Sequence, residues 1–349
     1  MNRAFWKGKR AFVTGHTGFK GTWLSTWLVE AGAHVSGFAL APEAGSPFVD
    51  SGLKEDMAST IADIRDTPAL VHTLDDARPD IVIHLAAQSL VRRSYEEPAL
   101  TFSVNAMGTA DLLDALRSSS TVRAAVVVTS DKCYAAGEPS RRHTEDDPLG
   151  GDDPYSASKA GAEIVAAAYR RAFFEGERIA TARAGNVIGG GDSSRDRLVP
   201  DMLRAFDAGE TAQIRRPDDI RPWQHVLDPI AGYLELAERL FSDARSFAQA
   251  WNFGPGAQNE VPVRTVADAV VAAWGNGASW LHDKRAHAPE RGVLRLDSTK
   301  AARLLDWCDR ISLDDAIRWT VDWHKERASG GSVRDLIVRD IARYEALSS

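Results

Sequence analysis

A tyrosine and a lysine that could exchange protons with a bound alcohol lie four positions apart, in Tyr155-Ser156-Ala157-Ser158-Lys159. Residues four apart share one face of a helix, so the phenol of Tyr155 and the ammonium of Lys159 would lie side by side. The ordinary pKa of a tyrosine is about 10, and positive charge beside the ring lowers it. Tyr155 could therefore act as a base that deprotonates a hydroxyl group, and the start of an amphipathic helix without a chemical role is the alternative.

A second group of ionisable residues follows the apolar segment Ala124–Thr129, in the order Ser130-Asp131-Lys132. The segment has the composition of a buried strand, and residues just after a parallel strand face the ligand crevice. Ser130 could then hydrogen-bond the same substrate oxygen as Tyr155. Asp131 and Lys132 could supply an acid and a base if Lys132 is neutral, and a structural ion pair between them is the alternative interpretation.

Three glycines follow another short apolar segment, in Thr14–Gly21 (TGHTGFKG). Gly15 permits a tight turn, Gly18 lets the backbone approach a pyrophosphate, and Gly21 lets the strand and the following helix pack closely. The free N–H groups at the start of that helix would attract the phosphates. The pattern predicts a dinucleotide site, and a glycine-rich turn without a ligand is the alternative.

The elements that must position these residues alternate between short apolar segments and longer segments with helical spacing. Strands are predicted at Arg10–Thr14, His34–Ala39, Asp80–Leu85, Ala124–Thr129 and Arg178–Ala184. Helices are predicted between them at Trp23–Ala31, Pro68–Ala77, Phe102–Arg117 and Ala157–Phe174. Apolar strands separated by helices indicate an α/β fold with a doubly wound parallel sheet of the Rossmann type, because right-handed crossovers place helices on both faces.

The pattern changes near Asn186, where segments become shorter and richer in Pro, Gly, Arg and Asp. We therefore predict a dinucleotide-binding domain over residues 1–185 and a smaller, mixed substrate-binding lobe over residues 186–349. Segments near residues 222–255 are expected to return to the first domain, and Asn252–Pro255 has the composition of a late strand and turn. Helices are predicted in the second part at Thr265–Trp274, Ser298–Trp307, Leu313–Arg327 and Val333–Leu347.

The composition disfavours several classes of function. Hydrophobic residues make up 44% and charged residues 26% of the 349 residues, which is typical of a globular protein. The formal net charge of -7 argues against nucleic-acid binding, which needs a basic face. Apolar runs are too short for a membrane helix, and Met1–Arg10 lacks the apolar core of a signal peptide. Cys133 and Cys308 are isolated, so no metal site or disulfide framework is predicted and a cytoplasmic location is expected.

Five motifs together resemble the extended short-chain dehydrogenase/reductase family across nearly the whole chain: Gly15–Gly21, His84–Gln88, Asn105–Thr109, Tyr155–Lys159 and Arg183–Gly189. Within that family the chain is similar to nucleotide-sugar 4,6-dehydratases, and Ser130–Tyr134 (SDKCY) resembles the CDP-glucose branch. The resemblance implies NAD as cofactor, a nucleotide-sugar substrate, and a homodimer built on the helices Phe102–Arg117 and Ala157–Phe174. The cofactor-binding residues it implies are Gly15, His16, Thr17, Gly18, Phe19, Gly21, Asp63, Ile64, Leu85, Ala86, Ala87, Tyr155 and Lys159.

The chain departs from the family pattern at two places. NAD sites usually carry Asp or Glu at the end of the second strand, whereas Phe38–Pro42 (FALAP) has neither such an acid nor an arginine that would favour a 2'-phosphate. NAD is therefore preferred over NADP. The family's Thr-Asp-Glu is Ser130-Asp131-Lys132 here. The resemblance implies a hydro-lyase in which Tyr155 assists oxidation at C4, Lys132 removes the C5 proton and Asp131 donates a proton to the departing C6 hydroxyl.

The resemblance also implies five residues that contact the nucleotide sugar: Gln88, Asn186, Arg197, Arg221 and Arg291. An arginine can hold a pyrophosphate through two parallel hydrogen bonds. Arg291 precedes Leu294–Asp297, which has the composition of a strand. Two other functions stay open from the sequence. A nucleotide-sugar 4-epimerase would use the Ser, Tyr and Lys without a dehydration pair, and a nucleotide-binding protein that has lost catalysis could share the fold.

Overall fold

The computed structural model describes residues 1–138 and 140–347. Its strands are β1 Arg10–Thr14, β2 His34–Ala39, β3 Ala58–Ile61, β4 Ile81–His84, β5 Ala124–Val128, β6 Ile179–Ala184, β7 Asn186–Ile188, β8 Ala212–Ile214, β9 Ile220–His225, β10 Ala250–Phe253, β11 Glu260–Pro262 and β12 Trp280–His282. Its α-helices are α1 Arg3–Trp6, α2 Phe19–Glu30, α3 Pro47–Asp50, α4 Thr67–Ala77, α5 Val91–Glu96, α6 Pro98–Phe102, α7 Gly108–Arg117, α8 Pro154–Phe173, α9 Leu198–Asp207, α10 Leu227–Ser242, α11 Ala244–Phe247, α12 Val263–Trp274, α13 Thr299–Leu305, α14 Leu313–Ala328 and α15 Val333–Glu345. Short 3₁₀ turns lie at Leu53–Asp56, Asp131–Cys133 and Ala257–Asn259, and a π-helical turn lies at Ser103–Met107. None of the helices in these two ranges is long and apolar enough to cross a membrane.

Seven parallel strands form the central sheet, in the order β10-β6-β5-β4-β1-β2-β3. Successive residues of a strand point to opposite faces, so neighbours in the sequence enter different cores. On β1, Phe12 packs with Phe38 and Val82 on one face, whereas Ala11 and Val13 pack on the other. Both faces are buried, which explains why these strands are apolar without alternation.

Helices cover both faces of this sheet. On one side lie α2 and α10, and on the other lie α4, α7 and α8. Helix α2 contributes Trp23, Leu24, Trp27 and Leu28, each at most 1% exposed. Burial of a large apolar side chain of this kind contributes about 1.5–3 kcal/mol through the hydrophobic effect. The predicted α/β fold with a doubly wound Rossmann-type sheet is confirmed.

A smaller lobe is built from two short sheets and the helices beside them. The strands β11, β9 and β7 form one sheet in that order, and β8 pairs with β12 in the other. Helix α9 packs against β8 and α12, and α14 packs against β9. The chain returns to the central sheet between these elements, because β10 pairs with β6 and α10 packs on β5 and β6. The second part of the sequence therefore contributes to both the lobe and the sheet.

Two local predictions differ from the structure, and some helices were not predicted. Leu294–Asp297 does not form a strand: Leu296 makes one bridge with His143 and packs over Gly254, so the segment fills the core instead of pairing. The predicted helix Phe102–Arg117 begins earlier, in α6, and is interrupted by the π-helical turn. The predicted helices do not include α10, although its apolar residues recur with helical spacing.

The seven strands of the central sheet run in one direction, so their carboxyl ends meet at one edge. Gly15, Leu85, Ser130 and Gly185 each follow a strand at this edge. The smaller lobe lies across the same edge and closes a cleft. Ligands of open α/β sheets bind at such a position, outside the carboxyl ends of the strands.

Candidate active site

The cleft between the sheet edge and the smaller lobe has a volume of about 540 Å³. The glycine turn after β1, the segment after β5 and the start of α8 all contribute to its walls. The predicted site residues that line it are Gly15, Thr17, Gly18, Phe19, Gly21, Asp63, Ile64, Leu85, Ala86, Ala87, Ser130, Asp131, Lys132, Tyr155, Lys159, Asn186, Arg197 and Arg221. His16, Gln88 and Arg291 lie outside these walls.

The turn from β1 into α2 requires glycine at two positions. Gly15 has a φ of 76°, and a Cβ atom there would lie 2.7 Å from the backbone nitrogen of Ala86. A Cβ atom on Gly21 would lie 2.1 Å from the carbonyl oxygen of Gly15. Gly18 precedes α2 without a side-chain cap, so the first N–H groups of the helix are open to a ligand. A pyrophosphate fits this turn, because it accepts those hydrogen bonds and complements the helix dipole.

Thr14 and His84 hold the loop after β4 against the glycine turn, and the sequence interpretation does not single them out. The Thr14 hydroxyl lies 2.7 Å from Nδ1 of His84 and accepts hydrogen bonds from the N–H groups of Leu85 and Ala86, each at 3.1 Å. Nε2 of His84 lies 3.2 Å from the hydroxyl of Thr109. Burial lowers the pKa of His84 to about 3. A neutral histidine therefore fixes one wall of the cleft.

His16 was expected to contact the cofactor, but the structure places it behind the glycine turn. Its Nε2 lies 2.7 Å from the hydroxyl of Ser59 on β3. Its ring lies beside Gly37 of β2, where a Cβ atom would come within 2.3 Å of it, and packs edge-on against Phe48 at 5.1 Å. Burial lowers the pKa of His16 to about 4. His16 supports the turn from below because the glycine on β2 leaves room for its ring.

Helix α8 brings Tyr155 and Lys159 to the cleft. The side chain of Asp153 caps this helix, so Tyr155 lies in its first turn, at the positive end of the helix dipole. Ser130 and Tyr155 both line the cleft, and Ser130 acts to lower the pKa of Tyr155. Nζ of Lys159 donates to the carbonyl oxygen of Val128 at 3.3 Å. The structure therefore brings the predicted serine, tyrosine and lysine together where β5 ends and α8 begins.

Burial dominates the ionisation of this tyrosine and lysine. It raises the pKa of Tyr155 to about 12, although Ser130 and the charge of Arg197 act in the opposite direction. Burial also lowers the pKa of Lys159 to about 8. We expected nearby positive charge to lower the pKa of Tyr155. Within the protein alone, the cost of removing the phenolate from water outweighs that effect.

The 3₁₀ turn Asp131–Cys133 places the predicted acid and base on the wall of the same cleft. Oγ of Ser130 donates to Oδ1 of Asp131 at 3.0 Å. The other oxygen, Oδ2, is buried and has no hydrogen-bond partner among the residues that the structure describes. Lys132 is half-buried, and burial, followed by the charge of Arg221, lowers its pKa. Desolvation and a neighbouring cation, the two conditions that favour a neutral lysine, are both present.

Gln88 was expected to contact the substrate, but its side chain turns into the protein. Nε2 of Gln88 donates to the hydroxyl of Thr101 at 3.0 Å, and its backbone N–H donates to Oδ1 of Asn105 at 2.8 Å. Asn105 lies in the π-helical turn and also donates to Oγ of Ser158 on α8 at 2.8 Å. Gln88 therefore ties the loop after β4 to α8, and its neighbour Ser89 lines the cleft instead.

Arg197 and Arg221 reach the cleft from the smaller lobe, and a carboxylate holds each of them. Arg197 pairs with Asp192 at 2.9 Å, and Arg221 pairs with Asp219 at 2.9 Å. Asn186, the first residue of β7, lines the same cleft. Guanidinium groups held in this way lose little side-chain entropy when they bind a phosphate.

Arg291 lies beyond Lys132 and does not face the cleft. Its Nη2 donates to the carbonyl oxygen of Tyr134 at 3.0 Å and pairs with Asp152 at 3.1 Å. It borders a separate cavity of about 230 Å³, which Lys132 and Glu290 also line. The expected substrate residue is thus occupied in holding the segment after the catalytic turn, and Glu290 lines the main cleft in its place.

Lys20 lines the cleft, and the sequence interpretation does not include it. It lies in the first turn of α2, between two glycines of the motif. Burial, followed by the charges of Arg197 and Lys159, lowers the pKa of Lys20 to about 7. Its Nζ lies 5.9 Å from the ring centre of Tyr233. Its position as a charged residue inside the glycine turn is the sequence signal that could have indicated it.

The end of the cleft beyond β3 is apolar, with one ion pair beside it. Asp63 pairs with Arg65 through bonds of 2.7 and 2.9 Å, and this pairing holds the pKa of Asp63 below its ordinary value. Ile64 is buried against Gly108, where a Cβ atom would come within 2.8 Å of it. Leu40 lines the same cleft and is 63% exposed. Such surfaces suit a flat aromatic ring.

The parallel sheet, the glycine turn at the start of α2 and the serine–tyrosine–lysine group define an extended short-chain dehydrogenase/reductase. The sequence profile described as GDP-mannose 4,6 dehydratase matches residues 12–320. The chain belongs to the GDP-mannose 4,6-dehydratase family.

Individual relatives agree with this assignment. The CDP-glucose 4,6-dehydratase of Salmonella typhimurium is 46% identical over 99% of this chain and 98% of that protein. The UDP-glucose 4-epimerase of Mycolicibacterium smegmatis is 28% identical over 91% of this chain and 99% of that protein. The crystal structure of DesIV, a dTDP-glucose 4,6-dehydratase from Streptomyces venezuelae with NAD and TYD bound, has a TM-score of 0.79 and 25% identity, and the match covers 92% of this chain and 98% of that chain.

Proposed function

We propose that this protein is a hydro-lyase that converts CDP-D-glucose to CDP-4-keto-6-deoxy-D-glucose with NAD, which is regenerated in each turnover. The observation that carries the proposal is that one cleft holds Ser130, Tyr155 and Lys159 together with Asp131 and Lys132. Oxidation at C4 needs only the first three residues, whereas an acid and a base beside them are needed to remove water. The 46% identity to the Salmonella CDP-glucose 4,6-dehydratase, over nearly the full length of both chains, supports the choice of substrate.

The dinucleotide would bind along the glycine turn. Its pyrophosphate would accept hydrogen bonds from the free N–H groups at the start of α2, and its adenine would contact Ile64 and Leu40. When bound, NAD supplies a hydride acceptor for the oxidation at C4 and the hydride that is later returned to C6. The absence of an arginine from Phe38–Pro42 suits a cofactor without a 2'-phosphate. The NAD bound to the dTDP-glucose 4,6-dehydratase DesIV supports this assignment.

Oxidation requires that the C4 hydroxyl lose its proton as a hydride leaves C4. Tyr155 would accept that proton, and its position in the cleft beside Ser130, which can contact the same substrate oxygen, supports this role. The pKa of Tyr155 is about 12 in the protein alone and must fall for this role. The positive end of α8 acts in that direction, and oxidised NAD, when bound, would add positive charge.

The resulting 4-ketone makes the C5 proton acidic, and the adjacent acid and base then remove one water. Neutral Lys132 accepts the C5 proton, and protonated Asp131 donates a proton to the C6 oxygen as the C6–O bond breaks. The buried Oδ2 of Asp131 has no hydrogen-bond partner among the described residues, and this and the lowered pKa of Lys132 support these roles. A hydride then adds to C6 and a proton to C5, so that the net change is the loss of one water.

The nucleotide end of the substrate would be held by the arginines of the smaller lobe. Arg197 and Arg221 would bind the pyrophosphate, with Asn186 contributing an amide hydrogen bond. Asp192 and Asp219 hold these guanidinium groups before the substrate arrives. A dianionic pyrophosphate would compete with the two carboxylates for the same donors.

Incubation of the protein with NAD and separate CDP-, dTDP-, GDP- and UDP-hexoses tests this function. CDP-glucose should lose one water in mass spectrometry and give a product that absorbs in alkali, and Tyr155→Phe should abolish the reaction while leaving the protein folded. A product of unchanged mass and inverted C4 would identify a nucleotide-sugar 4-epimerase, which the similarity to the M. smegmatis UDP-glucose 4-epimerase makes the second candidate. Conversion of none of these sugars would refute an enzymatic role and favour a nucleotide-binding protein.

We also propose that the protein forms a homodimer through α8 and the segment from α6 to α7. Large apolar side chains are exposed there: Phe102 (41%), Met107 (56%), Ile164 (58%) and Phe173 (50%). Exposed apolar side chains grouped on neighbouring helices are typical of a protein–protein contact. Light scattering should give twice the chain mass for the wild type and for Leu304→Arg, a control on α13, but the chain mass for Ile164→Arg. A monomeric wild type would contradict the dimer.

The cysteine content is the basis for a cytoplasmic location. Cys133 is buried, Cys308 is exposed, and both are free. A reducing compartment keeps such thiols from pairing. Cell fractionation should recover the protein with cytoplasmic markers, and recovery from the medium would contradict this inference.

A further inference from the structure

Glu163 lies one helical turn after Lys159 on α8, and only 3% of its side chain is exposed. Its carboxylate accepts three side-chain hydrogen bonds. The hydroxyl of Thr129 donates at 2.5 Å, the hydroxyl of Thr181 at 2.7 Å and Nη2 of Arg183 at 2.7 Å. One buried carboxylate therefore connects α8 with β6 and with the residue that follows β5.

Arg183 extends this network to a buried tyrosine. Its Nη1 donates to the hydroxyl oxygen of Tyr134 at 2.8 Å, and the Tyr134 hydroxyl donates to Oδ1 of Asn252 at 2.6 Å. The Tyr134 ring stacks on His143 with ring centres 4.6 Å apart and 4° between the planes. Contacts on its hydroxyl and on its ring face therefore hold Tyr134 in one position.

The two ends of the network bracket the catalytic segment. Thr129 immediately precedes Ser130, and Tyr134 immediately follows the turn Asp131–Cys133. Both flanking residues are tied to the carboxylate of Glu163, directly at one end and through the arginine at the other. The helix that supplies the tyrosine and lysine of the site thus also holds the segment that supplies the acid and the base.

We propose that Glu163, Arg183 and Tyr134 are positioning residues that hold the Asp131-Lys132 pair in register with Tyr155. The inference rests on the proposed dehydratase function. In this proposal the three residues keep the groups for two steps aligned on the same sugar. The steps are oxidation at C4 and removal of water across C5 and C6. None of the three lines the described walls of the cleft, so they act through the residues that they hold.

Stability alone is a weak reason for this arrangement. Burying two charges costs free energy that their attraction does not always recover, and apolar replacements of such pairs are often equally stable. Catalysis is much more sensitive to position, since a displacement of about 1 Å can cost about 100-fold in rate. A rigid polar network beside the catalytic segment can therefore serve to fix the positions of the catalytic side chains.

Three variants that each remove one buried hydroxyl test the proposal. In single turnovers with CDP-glucose, absorbance of the reduced cofactor reports oxidation, and mass loss of one water reports elimination. Tyr134→Phe should keep the oxidation rate within about threefold of the wild-type rate and slow elimination by about tenfold or more. The variant removes the hydrogen bonds that hold the end of the catalytic segment nearer Lys132. A 4-keto sugar that retains its C6 oxygen should then accumulate and be trapped by borohydride.

The other two variants separate position from stability. Thr129→Val should slow oxidation by about tenfold or more, because it removes the hydrogen bond that holds the residue before Ser130. Thr181→Val is the matched control: it removes a hydroxyl donor to the same carboxylate at a point on β6 away from the catalytic segment. It should lose comparable stability and keep the wild-type ratio of the two rates. Equal slowing of both steps in Tyr134→Phe, or the same split in Thr181→Val, would overturn the proposal.

Hydrogen–deuterium exchange gives a readout that does not depend on the substrate. Amides of residues 129–135 should exchange faster in Tyr134→Phe and Thr129→Val than in Thr181→Val. Wild-type protein that converts no nucleotide sugar would refute the proposed function, while unchanged exchange in Tyr134→Phe would refute the positioning role. If Tyr134→Phe does not fold, the exchange of Thr129→Val decides the question in the same way.

Discussion

Replacing Lys132 should separate oxidation of the bound sugar from the loss of water. The structure places this lysine in the cleft with Tyr155, and it bonds to Ser130 only through its backbone N–H, at 3.2 Å, which every variant retains. Lys132→Met should therefore still oxidise C4 and return the hydride to C4, without eliminating water. Lys132→Arg is the matched control, since it keeps the positive charge but cannot act as a base at neutral pH.

The size of the effect follows from the role of a general base. Proton transfer by a positioned side chain contributes about 10²–10⁴ in rate, which corresponds to about 3–5 kcal/mol of transition-state stabilisation. Both variants should lose elimination by about that factor. If Lys132 were only a structural partner of Asp131, Lys132→Arg would retain most of the activity, because an arginine can form the same ion pair.

The neighbours of Lys132 predict how the reaction depends on pH. A lysine base must be neutral, so the elimination rate rises with pH through the pKa of Lys132. The charge of Glu290 raises that pKa and the charge of Arg221 lowers it. Glu290→Gln should therefore move the acidic limb of the elimination rate to lower pH, and Arg221→Gln should move it to higher pH.

The assay follows solvent deuterium at C5 and mass loss of one water in single turnovers between about pH 5.5 and 9, a range that brackets neutral-pH base catalysis. Oxidation, read by absorbance of the reduced cofactor, serves as the internal control in each variant. Wild-type elimination by Lys132→Arg or Lys132→Met would refute the assignment of the base. A limb that moves to higher pH in Glu290→Gln would refute the electrostatic reasoning.

Three further predictions concern the stability of the fold and the binding of ligands. Burial raises the pKa of Asp228 from 3.8 to about 7, so its contribution to stability is complete below pH 3.8 and falls by up to about 4 kcal/mol as the pH rises through 7. Asp228→Asn, which keeps an acceptor for the N–H of Arg310 at 2.8 Å, should remove this fall. Urea unfolding at pH 5 and 8 measures the change in the free energy of unfolding, and the same change in the variant and the wild type would contradict the reasoning. Gly21→Ala, whose Cβ would lie 2.1 Å from a carbonyl oxygen of the turn, should both destabilise the protein and abolish NAD binding. Gly18→Ala, with its nearest contact at 3.4 Å, should weaken NAD binding alone, as thermal melting and fluorescence titration can establish. Lys20, with a pKa of about 7, should make the affinity for CDP-glucose fall by up to about tenfold from pH 6 to 8, and an unchanged calorimetric profile in Lys20→Met would contradict this.

Much of the fold follows from local features of the sequence. The apolar segments Arg10–Thr14 and Ala124–Thr129 can be buried only in a sheet that is covered on both faces. Of the three glycines that follow the first segment, Gly15 and Gly21 permit a turn that side chains would block. Because the strands are parallel, the residues after each of them were predicted to meet at one edge.

Three predicted site residues lie outside the walls of the cleft for a common physical reason. His16, Gln88 and Arg291 stand within motifs or beside predicted site residues, yet their side chains satisfy partners inside the protein. The position of a residue just after a strand places its backbone at the edge of the sheet where ligands bind. The direction of a side chain depends on which distant groups lie within hydrogen-bond distance, such as Ser59 of β3 for His16.

The sequence by itself determined the α/β architecture, the dinucleotide turn and the identity of the groups that could transfer protons. Only the tertiary structure decided their ionisation, because desolvation depends on the whole surrounding chain. It alone set the pKa of Lys20 near 7 and joined Glu163 to Arg183 and Tyr134 around the catalytic turn. Residues distant in the sequence make these contacts, and local spacing carries no information about them.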